Sequence, residues 1–151
     1  MNTHHASRSS ADGPTRPWHA GIGWFLAVGL GLFGLVRPLA RIVTGQAEVE
    51  TGAALPIGAT VLVTVVWVAV VGLGRTRRPF ATLVVTGLVY AVASILLSGI
   101  LSPLLDGRLD GPLANPIAIV PVLAVNAGWG AVAGLLALAV RSTRDDAEVR
   151  R

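Results

Sequence analysis

Residues 56–74 read PIGATVLVTVVWVAVVGLG, nineteen residues without a single Asp, Glu, Lys or Arg. An α-helix rises 1.5 Å per residue, so about 20 such residues cross the ~30 Å hydrocarbon core of a bilayer with every backbone polar group satisfied inside the segment. Ile57, Val61, Leu62, Val63, Val65, Val66, Val68, Val70, Val71 and Leu73 together favour insertion by roughly 3 to 6 kcal/mol before the Gly and Thr costs. The stretch is therefore predicted to be a membrane-spanning helix. Working outward from it, residues 18–36, 80–101 and 116–140 are likewise free of formal charge. Four such stretches predict an all-α, integral membrane four-helix bundle. Its transmembrane domain covers residues 18–140, between an N-terminal tail (1–17) and a C-terminal tail (141–151).

Composition agrees. The 151 residues are 53% hydrophobic and 13% charged, against about 25% charged in an ordinary soluble domain, and the mean hydropathy is +0.69. One bundle uses nearly the whole chain. Cysteine is absent, which excludes disulfides, thiolate metal sites and thiol nucleophiles. All 12 basic residues are arginine, a bias that, with abundant Ala, Gly and Val, points to a GC-rich bacterial coding sequence and hence a bacterial plasma membrane. A pI near 11.3 would suggest nucleic acid binding in a soluble protein. Here the basic residues flank apolar stretches, where a topological role accounts for them, and no nucleic acid partner is expected.

The arginines set the expected orientation, because basic residues in short loops resist translocation. Arg8, Arg16, Arg75, Arg77, Arg78, Arg141, Arg144, Arg150 and Arg151 fall on one side, and only Arg37, Arg41 and Arg108 on the other. Both termini are thus predicted to be cytoplasmic. The first stretch is expected to be a retained helix rather than a cleaved signal, since Pro38 occupies the position before Ala40 where a small side chain is wanted. Trp18 and His19 suit the headgroup level. Pro56 and Pro79 suit first helical turns. The short joint from Gly74 to Arg78 predicts an antiparallel hairpin of the second and third spans.

In lipid, helices associate through close backbone approach at small residues and through side-chain hydrogen bonds. Gly23, Ala27 and Gly31 recur every four residues in the first span, as do Gly130 and Gly134 in the fourth, with Asn126 one step earlier. These are predicted packing faces. In the third span Thr82, Thr86, Tyr90, Ser94 and Ser98 form a row at intervals of four, an inclined ridge on a 3.6-residue helix. Its hydroxyls are expected to bond to backbone carbonyls or to Asn126 and Thr64 on adjacent helices, and alternatively to line a path for a small solute. Asn126, the one carboxamide in any span, is expected to face the bundle near this ridge. Pro121 predicts a kink or a helix start, with Pro116 beginning the helix.

Sites of chemistry are sparse. No HExxH, GxSxG or Walker motif occurs, and no His or carboxylate lies deep in a span to act as acid, base or metal ligand. His4 and His5 lack a third nearby ligand. Glu48, Glu50, Asp106 and Asp110 fall in the two outer loops, where solvation is the expected role. The turn-rich segment from Asp106 to Pro112 has too few ligands for a calcium loop. No cofactor is expected. The reading that follows is a non-catalytic accessory or assembly subunit of a cell-envelope membrane complex, with the bilayer, copies of itself or other membrane proteins as partners. A passive conduit made by oligomerised bundles is the alternative, and an intramembrane enzyme a distant third.

Overall fold

A computed structural model describes residues 21–46 and 54–150, and all regular structure among them is helical. The predicted N-terminal tail, Trp18, His19, Glu48 and Glu50 lie outside the described residues. The elements are α1 (Trp24–Phe33), α2 (Val36–Gln46), α3 (Ala54–Leu73), α4 (Pro79–Asp106), a 3₁₀ turn (Pro116–Ala118) and α5 (Ile119–Val149). Three helices are long and apolar enough to cross a membrane, and a shorter apolar helical segment runs from Trp24 to Ala40.

The first apolar stretch differs from one long helix because of Pro38. Residue 38 would ordinarily donate its N–H to the Gly34 carbonyl, and proline has none. That carbonyl instead accepts from Arg37 N at 3.1 Å, the chain turns at Gly34 and Leu35, and α2 follows within the predicted first outer loop. The third stretch is longer than predicted. Helix α4 continues past Leu101 to Asp106 with Pro103 inside it, and stops where Gly107 takes a left-handed conformation (φ 67°), the usual glycine ending. Pro121 falls in the first turn of α5. Its missing N–H has no intrahelical partner to lose there, so no kink is required. Residues 141–149, predicted to be tail, are the closing turns of α5, held by Arg141 Nη1 donating to the Thr76 carbonyl (2.8 Å) and Arg144 Nη1 to that of Leu73 (3.2 Å).

Helix α4 is the centre of the arrangement, with α5 along one side and α1 along another, while α3 rests on α5 and touches α4 little. The hairpin expected from the short 74–78 joint is thus splayed. Two close backbone approaches explain it. An added Cβ at Gly72 would lie 3.1 Å from the Ala137 carbonyl oxygen, seating α3 on α5, and one at Gly87 would collide with the Asn126 carbonyl oxygen, seating α4 on α5. Leu30, Val63, Trp67, Val71, Leu83, Ala133 and Ala137 form the common core. Trp67, 2% exposed, closes the ring by donating its indole N–H to the Leu30 carbonyl of α1 at 2.9 Å.

Candidate functional site

The small residues singled out in the sequence lie at helix contacts. On α1, Ala27 is fully buried, a Cβ at Gly31 would meet the Val89 side chain at 2.7 Å, and the Gly23 N–H donates to Thr82 Oγ1 at 3.3 Å. On α5, a Cβ at Gly130 would strike the Leu83 carbonyl oxygen and one at Gly134 would lie 3.0 Å from Phe80 Cα. Both faces therefore point at α4. The backbones come close enough for dispersion contact along their length, which is the chief attraction available between apolar helices in lipid.

The hydroxyl ridge divides. Thr82 and Thr86 are fully buried, and each donates to the carbonyl one turn back on α4, Arg78 at 2.9 Å and Thr82 at 2.9 Å. Ser94 Oγ is buried without a partner among the described residues. Beside Ser98 the loop after α4 folds back, with Gly111 (φ 82°) against the Ser98 hydroxyl and Leu113 against Gly99. The expected bonds from the ridge to Asn126 and Thr64 are absent among the described residues. Asn126 Nδ2 donates to Val122 O at 2.8 Å within α5, and Thr64 Oγ1 donates to Thr60 O at 2.7 Å while accepting from Trp129 Nε1 at 3.1 Å. A carbonyl four residues back is always within reach on a helix, whereas a partner on a neighbour requires a matching register.

This difference sets an order. Thr82→Val orphans the Gly23 N–H and is expected to cost about 1 to 2 kcal/mol, whereas Thr86→Val removes only a bond within the helix and is expected to cost under ~1 kcal/mol. Unfolding in mixed anionic and non-ionic micelles measures both, and equal losses would contradict the assignment.

Between the helices Thr64, Tyr90 and Asn126 do meet, around a pocket of about 220 Å³. Trp67, Tyr90 and Trp129 supply its aromatic wall, with the Trp67 and Tyr90 rings edge to face at 6.3 Å and 74°. Thr60 and Arg37 complete the polar lining. A second cavity of about 380 Å³ shares Arg37, Thr60, Thr64 and Trp129 and runs along the outer turns of α3 past Ile57, Val61 and Val65. The splay of α3 from α4 leaves room for the first, which Tyr90 of α4 lines, while the second lies between α3, Arg37 and Trp129.

Hydrogen-bonding capacity in the pocket is largely spent. Both indole N–H groups and both threonine hydroxyls already donate. Among the described residues no partner reaches the Tyr90 hydroxyl, the Asn126 carboxamide oxygen or the Arg37 guanidinium. Among the described residues the lining contains no carboxylate. Among the described residues no group of three or more His, Asp or Glu is placed to hold a metal ion. Thr60, Trp67 and Trp129 were not singled out in the sequence, and Arg37 only as a marker of orientation, although a tryptophan at the centre of an apolar stretch, away from the interfacial belt, was a readable signal at Trp67.

No protein-family model, no curated protein and no solved structure matches the chain. The fold supports a class and no more: a helical protein with three helices of membrane-spanning length and composition and one shorter apolar helix.

Proposed function

We propose that the chain is a small, non-catalytic, four-span protein of a bacterial plasma membrane, with both termini cytoplasmic, that acts by assembling with copies of itself or with a larger envelope complex. The apolar segment from Trp24 to Ala40 supplies the first crossing as two helical pieces joined by the turn at Gly34 and Leu35, of which the ten residues of α1 give about 15 Å. The observation that carries assembly is on the outer face of α5. Ala124 and Gly128 are exposed four residues apart, and a Cβ added at Gly128 would meet nothing within 4 Å. Glycine weakens a helix by about 1 kcal/mol relative to alanine, and at Gly130 and Gly134 a close helix contact offsets that cost. Gly128, about 200° around α5 from Asn126, has no such contact among the described residues and suits a second helix arriving from outside.

A conduit has less support, because Thr82 and Thr86 sit sealed in the α1–α4 contact with their hydroxyls turned to their own helix. The assembly reading is tested with the cysteine-free chain, in which Ala124→Cys introduces the sole thiol. Oxidative crosslinking in native membranes is expected to yield a covalent dimer or an adduct with a partner. Adding Gly128→Leu is expected to abolish the adduct while leaving unfolding unchanged. Monomer alone, together with no co-purifying protein, defeats the reading.

A further inference from the structure

The pocket and the slot that continues from it have the form of an amphiphile site. At the pocket end sits a cation, Arg37, with no carboxylate in the lining and no partner among the described residues. The remaining hydrogen-bonding groups are weighted toward donors: the guanidinium, the Tyr90 hydroxyl and the second Asn126 N–H. A cation with spare donors beside a partly desolvated wall favours an anion, and guanidinium matches phosphate oxygens bidentately. The slot is aliphatic where the pocket is polar, with Ile57 61% exposed, Val61 55% and Val65 58% on the side of α3 away from the core. A helix with its side chains is about 10 Å across and does not enter a 220 Å³ pocket, whereas a phosphate ester does.

We propose that the pocket and slot together hold one anionic phospholipid, its phosphate at Arg37 and an acyl chain along Ile57, Val61 and Val65. Basic pockets between membrane helices recognise lipid headgroups through this combination of charge and adjoining apolar surface. With both termini cytoplasmic, Arg37 belongs to the outward end of the bundle, so the lipid comes from the outer leaflet. The inference rests on the membrane reading above and does not depend on the assembly face, since Ala124 and Gly128 line neither the pocket nor the slot.

The test uses the full chain in vesicles of phosphatidylcholine containing phosphatidylglycerol, followed by detergent exchange and native mass spectrometry. Wild type is expected to retain one phosphatidylglycerol and no phosphatidylcholine. Arg37→Gln is expected to lower that retention about fivefold, the effect of one arginine near a headgroup. Val61→Trp, which fills the slot without altering charge, is expected to lower it as well, with unfolding of both variants unchanged. Equal retention of the two lipids, or indifference to Arg37→Gln, overturns the proposal. Displacement of the lipid by inorganic phosphate, with Val61→Trp silent, assigns the pocket to a free anion instead. Crosslinking between copies through Ile57→Cys that excludes lipid assigns the slot to a second chain. Release of wild type from the vesicles by alkaline carbonate would sink the membrane reading itself, while a chain that stays embedded without selective lipid sinks only this inference.

Discussion

Gly130→Leu is expected to detach α5 from α4 and unfold the bundle, whereas Gly128→Leu, two residues earlier on the same helix, is expected to leave the fold intact. At Gly130 the added Cβ meets backbone, the Leu83 carbonyl oxygen and Val84 Cα (3.0 Å), and backbone cannot rotate out of the way. The two helices must separate, and separation removes the contacts made by Gly87 and Gly134 along the same line. Overpacking ordinarily costs about 1 to 3 kcal/mol. A leucine inserted against backbone is at or above the top of that range, a large share of the 5 to 15 kcal/mol typical of a folded domain. Side-chain unfolding in micelles, followed by near-ultraviolet dichroism, provides the measurement. Similar effects at residues 128 and 130 would mean that α5 does not present these faces.

Trp67→Ala is expected to be the second severe substitution, costing about 3 to 5 kcal/mol. Trp67 is 2% exposed, packs among the core residues of α3, α4 and α5, stands edge-on to Tyr90, and is hydrogen-bonded to α1 through Leu30 O. Truncation merges its volume with the adjacent pocket and frees α1 from α3. Trp67→Phe separates the two roles. It keeps most of the packing and loses the indole N–H, while the Leu30 carbonyl still accepts from Gly34 N at 3.1 Å, so a loss of only about 1 kcal/mol is expected. Thermal unfolding of the pair in one detergent decides between them, and a phenylalanine variant as unstable as the alanine one would make the hydrogen bond, not packing, the dominant link.

The helical class and the three long apolar helices were legible because exclusion of charge over twenty or so residues is a property of composition, readable without knowing any neighbour. Local punctuation was legible in part. Pro116 opens the 3₁₀ turn ahead of α5 and Pro121 falls in the first turn of α5, but the break at Gly34 required reading Pro38 backwards by one turn, as a donor missing from a carbonyl four residues earlier. Helix adjacency was the least legible. The short Gly74–Arg78 joint argues for α3 beside α4, yet the close approaches at Gly72 and Gly87 draw both onto α5. Gly87 stands next to Thr86, and the conspicuous threonine row obscured it. The pocket follows from that adjacency, so Arg37 and Trp129 could not be brought together from spacing alone. Thr64, Tyr90 and Asn126 stood out individually, because neutral polar groups are rare in apolar stretches.

The continuity of α5 has a mechanical consequence. From Val125 and Asn126 beside the pocket to Glu148 it is one unbroken rod, and near its charged end Arg141 and Arg144 clamp it to the carbonyls that close α3 and open the joint to α4. A push or twist applied at the carboxyl end therefore reaches the α3–α4 joint directly and, through the same rod, the walls around Asn126 and Trp129. A binding partner gripping that protruding end would hold a handle on the cavity at the far side of the molecule.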